Sequence, residues 1–265
     1  MIKLEHVVLA SPDQMKFIIE GMRNPMNSHD RSDSKVEPET IGDFGEEYGS
    51  LFELGENDHS LMQRLANAGT DHRKFMRMMP VYVRITAPLY WWKEFDTYKV
   101  GTVANSCSTM HKIQEKEFTR EDFSFEHLND CVTCHVVETG DIYMDFDESS
   151  IDILDNIIES LNTWRSRYLV SLKTEEETGL PAKDIWWQMI QLLPSSYNQT
   201  RNVMMNYEVL ANIYKSRKNH KLDEWREFCR WIKTLPYQEL ITGEDITMCD
   251  GCSVDCTHEF EKVED

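Results

Sequence analysis

Residues 85–112, ITAPLYWWKEFDTYKVGTVANSCSTMHK, change abruptly in composition. A proline and three aromatic residues stand within five positions, from Pro88 to Trp92, and small polar residues follow from Asn105 to Ser108. Large aromatic side chains supply either core packing or the wall of a ring-binding pocket, and hydroxyl groups supply directed hydrogen bonds. The stretch therefore predicts a helix that begins near Pro88, followed by a polar turn suited to a ring-bearing ligand.

The residues before this stretch are predicted to form two strands, two helices and a long loop. Residues 1–10, MIKLEHVVLA, and Met79–Thr86 both predict strands. Between them, Ser11 and Pro12 are typical of an N-cap and first turn. A second helix is predicted near Asp58–Ala68, and the polar segment Arg23–Glu47 is predicted to be a long loop.

The C-terminal half of the chain is predicted to be helical. In Ile151–Leu172 the apolar positions recur at intervals of three and four residues, which indicates a long amphipathic helix. Further helices are predicted over Asp184–Leu193, Asn198–Arg217 and Leu222–Thr234. The fold class is therefore α+β, mostly helical, with a small antiparallel sheet formed near the N-terminal half.

The composition limits the function classes. The 265 residues are 40% hydrophobic, which is enough for a substantial core. A net charge of −19 argues against a surface that coats nucleic acid or anionic membrane, because both require clustered cations. We find neither a basic leader nor an apolar run long enough to span a bilayer, so the cytoplasm is the expected location.

The seven cysteines include two CxxC pairs, Cys131/Cys134 and Cys249/Cys252. A c-type haem is rejected for Cys131–His135, because that chemistry belongs to exported proteins. Thiolates in CxxC pairs bind tetrahedral zinc, so one structural zinc site made of the four thiolates is the preferred interpretation. A site within the tail alone, from Cys249 to His258, and free or redox-active thiols remain as alternatives.

Over about residues 1–240 the chain resembles the flavin-dependent thymidylate synthases. In that family a Gly-His loop precedes a strand, an Ala-Pro-aromatic segment follows, and then comes the signature Arg-His-Arg-x-x-Ser-x-Asn-Glu-x-Ser-x-Arg-Tyr. Here a Gly69-Thr70-Asp71-His72 loop precedes VYVRITAP, and Leu193-Pro194 is followed by Asn206 and Arg217. If both lie in one helix, their spacing of eleven residues places them on one face.

The resemblance implies a homotetramer with FAD as cofactor and a pyrimidine nucleotide as substrate. It implies cofactor contacts for His72 and Asn206, with Trp91 as an aromatic wall. Arg217 and Ser108 are the predicted catalytic positions; in the family the matching arginine helps to hold the flavin and the nucleotide, and the signature serine binds substrate. The implied substrate-binding positions are Lys99, Asn105, Ser106 and Arg201.

The signature itself departs from the family. Asn105-Ser106-Cys107-Ser108 overlies Asn-Glu-x-Ser, and either Tyr98-Lys99-Val100 or Thr97-Tyr98-Lys99 stands where Arg-His-Arg is expected. Both arginines are absent in either register. A nucleotide phosphate is normally held by guanidinium groups, which a lysine does not reproduce. Lys93, Lys99, Arg84 and Arg201 are candidates for a rearranged phosphate site.

Three functions therefore remain open. The first is methylation of deoxyuridylate, or an altered version of it, by a flavin enzyme with residues 1–242 as its domain, an insertion at 113–148 and an acidic tail at 243–265. The alternative is a non-catalytic relative that keeps the fold for oligomerisation or partner binding. The third is a nucleotide or folate-type binder without flavin. The same ambiguity applies to single residues, because Trp91 also suits core packing and Ser108 also suits a turn or a helix cap.

Overall fold

The computed structural model describes residues 1–40, 47–130, 135–136, 142–143, 149–174 and 179–243. The strands are β1 (Lys3–Leu9), β2 (Lys35–Thr40), β3 (Glu47–Glu53), β4 (Pro80–Pro88), β5 (Val103–Ser106), β6 (His135–Val136), β7 (Ile142–Tyr143) and β8 (Asn198–Asn206). The helices are α1 (Pro12–Arg23), α2 (Glu56–Asn67), α3 (Leu89–Phe95), α4 (Thr109–Lys112), α5 (Ser150–Ser171), α6 (Ala182–Leu192), α7 (Tyr207–Arg217), α8 (Asp223–Ile232) and α9 (Glu239–Thr242). The predicted α+β class, mostly helical with a small antiparallel sheet, is confirmed.

The main sheet is antiparallel and has the strand order β1-β4-β8-β5. Its inner face is lined by alternate residues of the central strands, such as Val81, Val83 and Val203, which are buried. Helices α1, α2, α3, α7 and α8 contribute to the hydrophobic core that this face shares. Alternation of this kind is what a strand with one buried face requires.

Two helices begin where the sequence predicts. Ser11 caps α1 in a reciprocal capping box with Gln14, and Pro12 occupies the first turn. Pro88 is the N-cap residue of α3, so the aromatic segment does begin a helix.

A second hydrophobic core lies under the long helix α5. Ile113, Phe118 and Phe123 pack there with Leu161 of α5 and Met189 of α6. The first part of the predicted insertion therefore contributes apolar residues to a core. No helix in the described part of the chain is long and apolar enough to cross a membrane.

Two segments differ from the sequence predictions. Asn198–Arg217 is a strand up to Asn206 and a helix only from Tyr207 onward. Within the strand Val203 and Met205 are buried while Asn202 is exposed, a period of two that the sheet environment selects. The segment predicted as a long loop contains β2, which pairs with β3 in a hairpin.

Candidate functional site

The hydroxyl-rich turn after β5 borders a cavity of about 340 Å³, which we call the hydroxyl cavity. The backbone N–H of Cys107 donates to the Thr200 carbonyl at 2.9 Å, so the turn leaves the sheet beside β8. Gln199 fixes its course by donating to the Cys107 carbonyl at 3.1 Å and to Thr109 Oγ1 at 3.0 Å. The cavity is lined by Thr86, Cys107, Ser108, Thr109, Lys112, Ile113, Lys116, Glu121, Asp122, Tyr197, Asn198, Gln199 and Thr200.

Polar groups at the start of β8 also line the hydroxyl cavity. The hydroxyls of Thr86 and Thr200 share a hydrogen bond of 2.8 Å. Asn198 Oδ1 is buried and accepts no hydrogen bond from the described residues. Burial raises the pKa of the Tyr197 hydroxyl, with Asp122 and Cys107 adding to the effect, so this group stays protonated. A buried acceptor without a donor is costly, and Asn198 is one of the residues that line the hydroxyl cavity.

The charges around the hydroxyl cavity nearly cancel. Lys112 forms an ion pair with Glu115, and Lys116 forms one with Asp122. Both lysine side chains are mostly exposed, so these pairs are weak and their ammonium groups can turn toward a ligand.

Ser108 caps the short helix α4. Its Oγ accepts a hydrogen bond from the His111 N–H at 3.1 Å, and no general base among the described residues is hydrogen-bonded to it. The structure therefore supports the helix-cap interpretation of Ser108, which the sequence left open beside the catalytic one.

The predicted substrate residues Asn105 and Ser106 lie on opposite faces of the sheet. Ser106 pairs with Arg201, and Asn105 pairs with Asn202 beside Arg84 on the outer face. There Asn105 lines a second cavity of about 380 Å³. Successive strand residues point to opposite faces, so one ligand cannot contact both side chains from one side.

Arg201 is held by neighbouring groups of its own chain. Its guanidinium lies 4.1 Å from the centre of the Trp92 ring, and its Nη1 donates to Asp96 Oδ1 at 2.7 Å. Its Nε donates to Gln199 Oε1 at 2.9 Å. A phosphate could recruit Arg201 only by competing with Asp96, whose side chain is about half exposed.

Arg217 is likewise engaged. Its Nη1 lies 2.7 Å from Glu94 Oε2, its Nε donates to the Tyr98 hydroxyl at 2.9 Å, and its guanidinium stacks 4.8 Å from the Trp225 ring centre. Glu94 also accepts from Trp225 Nε1 at 2.9 Å. This contact set fastens the end of α7 to α3.

Trp91 has no exposed surface. Its ring packs against Trp92, Phe95 and Trp225 at centroid distances of 4.8–5.0 Å. The core-packing interpretation of Trp91 is therefore the one that the structure supports, and the ring offers no face to a cofactor.

The remaining predicted residues are dispersed. His72 lies on the exposed turn between α2 and β4, and Lys99 is exposed after α3. Asn206 is the N-cap of α7, accepting from the Val209 N–H at 3.0 Å, rather than an interior residue of a helix that contains Arg217. The zinc candidates Cys131, Cys134, Cys249 and Cys252 lie outside the described residues.

Several residues of the site escaped the sequence reasoning. Asn198, Gln199 and Thr200 fall in a segment predicted to be a helix, and the period-two burial at Val203 and Met205 is visible only in the structure, because Val203-Met204-Met205 is uniformly apolar in sequence. Glu94 lies in α3 and Tyr98 lies three residues after its end, and both contact Arg217, which no local sequence pattern indicates. Beside His72, Arg73 forms an ion pair of 2.7 Å with the buried Glu208.

The chain is similar to known proteins in its structure but not in its sequence. No protein-family model and no curated protein sequence matches the chain. Thymidylate synthase X (ThyX) from Helicobacter pylori, crystallised with FAD and dUMP, matches with a TM-score of 0.53 and 16% identity over 91% of this chain and 95% of that one. A second ThyX complex from that organism matches with a TM-score of 0.53 and 15% identity over 91% and 96% of the two chains.

A nucleotide methylase is also similar to this chain in structure. The UMP/dUMP methylase PolB from Streptomyces cacaoi, bound to 5-Br dUMP, matches with a TM-score of 0.50 and 14% identity over 92% of this chain and 95% of that one. The resemblance read from the sequence is therefore confirmed at the level of structure: the chain has the fold of the flavin-dependent thymidylate synthases.

Proposed function

We propose that this protein is a flavin-dependent enzyme that acts on a pyrimidine nucleotide, and that the nucleotide occupies the hydroxyl cavity. The solved structures that share its fold were crystallised with FAD and dUMP or with 5-Br dUMP. That structural similarity supports a pyrimidine nucleotide as the substrate class. The local geometry of this chain supports the hydroxyl cavity as its binding site.

The observation that carries the proposal is the polar lining of the hydroxyl cavity. Its hydroxyls, which donate or accept hydrogen bonds, belong to Thr86, Thr109 and Thr200. Asn198 Oδ1 is buried and has no hydrogen-bond donor among the described residues. A pyrimidine base and its sugar present donors and acceptors together. The cavity volume of about 340 Å³ lies at the lower end of the range of small-molecule pockets.

The phosphate of such a nucleotide would be held by Lys112 and Lys116. Each ammonium is a point charge on a flexible stem, and Glu121 and Asp122 line the same cavity. We therefore infer that this cavity binds the phosphate more weakly than a site with arginines would. A substrate with reduced phosphate charge, or a reaction altered from deoxyuridylate methylation, is consistent with this site.

Neither the hydroxyl cavity nor the outer-face cavity is large enough for a whole FAD molecule. The hydroxyl cavity and the outer-face cavity each have the size of a mononucleotide pocket, and His72 lies on a separate exposed turn. The predicted homotetramer would supply the missing surface, with His72 and Asn206 as contacts. When bound, FAD supplies hydride chemistry, and the protein orients the reactants.

The proposal is tested by the flavin spectrum of the purified protein and by calorimetric titration with deoxyuridylate. We expect uptake of added FAD and nucleotide binding that Thr200→Val and Asn198→Leu weaken by about ten-fold, since each removes a buried polar partner. Thr163→Val, an exposed threonine on α5, is the matched control. Unchanged binding in both cavity variants would place the nucleotide elsewhere.

A specific observation favours the second candidate, a non-catalytic relative. Arg201 and Arg217 are both neutralised by carboxylates of their own chain, Asp96 and Glu94. In that case the protein would form oligomers, bind neither FAD nor deoxyuridylate, and remain stable. The titrations with FAD and deoxyuridylate separate the two functions, because oligomers are expected in both cases and only the enzyme binds these ligands.

A further inference from the structure

The segment from Tyr214 to Lys233 is basic in a strongly acidic chain. It carries seven basic and three acidic residues, a local net charge of +4, whereas the chain as a whole carries −19. A concentration of charge that opposes the sign of the rest of the protein creates a local field that attracts anions.

The fold gathers these cations around one cleft between α7 and α8. Arg226, Arg230 and Lys233 recur at intervals of four and three, so they form one stripe along α8. Lys218 extends from the end of α7 toward the same place. The cleft has a volume of about 460 Å³ and is lined by Tyr214, Lys218, Asn219, Arg226, Cys229, Arg230 and Lys233.

Buried side chains form the floor of the cleft, and two of its cations are held by exposed ion pairs. Tyr214 and Cys229 are buried, and the ammonium groups of Lys218 and Lys233 lie 5.5 and 5.9 Å from the Tyr214 ring centre. Arg226 and Arg230 form exposed ion pairs one turn back along α8, with Asp223 and Glu227. Exposed pairs of this kind are weak, so a multivalent anion can compete for both guanidiniums.

Helix stabilisation alone does not account for this arrangement. Lys218 and Lys233 are C-cap residues, where a cation is favourable. Arg226, however, lies near the N-terminus of α8, where the helix dipole opposes a cation.

We propose that this cleft binds the phosphate chain of a polyphosphate ligand, such as a nucleoside triphosphate or inorganic polyphosphate. Four cations that converge on a cleft suit a linear anion with several charges, and the guanidinium forks of Arg226 and Arg230 suit phosphate oxygens. The site is separate from the hydroxyl cavity, with which it shares no lining residue.

The test is calorimetric titration of the full chain with tripolyphosphate and with ATP, at low salt and at an ionic strength of about 0.15 M. We expect both to bind, with an affinity that falls as salt rises. If tripolyphosphate and ATP bind with equal affinity, the protein recognises the phosphate chain alone. If ATP binds more tightly, the protein also contacts the nucleoside.

Charge reversal locates the site. Lys218→Glu and Arg230→Glu should each weaken tripolyphosphate binding by about ten-fold or more, because each replaces an attraction by a repulsion. Lys183→Glu, the same change at an exposed position of α6, should leave binding within about two-fold, since distant surface charges are screened. Absence of binding to the wild-type protein, equal loss in the control, or binding of a single-stranded oligonucleotide without tripolyphosphate would each overturn the proposal.

Discussion

Arg217 and Glu94 join two helices that are far apart in sequence, with Nη1 2.7 Å from Oε2 and the guanidinium stacked on Trp225. The Arg217 side chain is 19% exposed and the Glu94 side chain is 35% exposed. Arg217, which the sequence analysis predicts to be catalytic, is thus also a structural contact, and the two roles can be separated by experiment.

Removing the carboxylate tests the structural role. Glu94→Gln leaves Arg217 without a counter-charge and weakens the bond from Trp225, so we expect a loss of about 1–3 kcal/mol in the free energy of unfolding. Urea denaturation measures it. Glu227→Gln, which breaks the exposed pair with Arg230, should cost at most about 0.5 kcal/mol. Equal losses would show that Glu94 has no special part in joining α3 to α7.

Asp58 should make stability depend on pH. Burial disfavours its charge, but hydrogen bonds from Ser34, Ser32 and Arg23 outweigh burial and hold the pKa of Asp58 below its usual 3.8. Because the folded pKa lies below the unfolded value of about 3.9, this contribution is present above that pH and is lost as pH falls through the folded pKa.

Denaturation series at pH 7 and at lower pH check this dependence. Asp58→Asn should lower stability by about 3 kcal/mol at pH 7, since it leaves Arg23 buried without its partner, and the difference from wild type should shrink in acid. Asp184→Asn, an exposed position, serves as the control. A difference that persists unchanged at low pH would contradict the account.

Ser108 should behave as a cap and not as a nucleophile. Ser108→Ala should reduce stability by about 1 kcal/mol, and Ser108→Asp, which keeps a capping oxygen, should restore it. If the alanine variant retains any turnover that the wild type shows, Ser108 is not a nucleophile. Complete loss of turnover in a folded protein would restore the catalytic interpretation.

The zinc prediction is tested by elemental analysis. We expect one zinc per chain, lost in Cys131→Ser and in Cys252→Ser, because thiolates of both CxxC pairs complete one tetrahedral site. Zinc retained in Cys131→Ser but lost in Cys252→Ser would assign the site to the tail alone. A metal-free protein of normal stability would refute both forms.

The sequence predicted the fold best where a local signal agreed with tertiary packing. The capping box at Ser11 and the amphipathic pattern of α5 mark elements that the structure contains. The assignment of β8 failed because its polar first half, from Asn198 to Asn202, lacks a local strand pattern and is stabilised by pairing with β4 and β5.

The site was predicted only in part. The hydroxyl-rich turn was identified, but its partners on β8 are brought to it by the sheet register, which no local pattern encodes. The engagement of Arg217 by Glu94 depends on contacts between residues more than a hundred positions apart, and sequence spacing does not reveal those.

The thiols provide a local probe of the hydroxyl cavity. Cys107 is exposed on its rim, whereas Cys229 is buried and burial raises the pKa of its thiol to about 11. Since the thiolate is the reactive form, peptide-level mass spectrometry should find Cys107 alkylated rapidly and Cys229 only after unfolding. Rapid modification of Cys229 in the folded protein would contradict the packing of α8.

The most direct measurement of the central claim is the alkylation rate of Cys107 with and without saturating deoxyuridylate. If the nucleotide occupies the hydroxyl cavity, the modification of Cys107 should slow several-fold. If deoxyuridylate binds and Cys107 reacts at the same rate, or if it does not bind at all, the claim that this cavity is a nucleotide site is wrong.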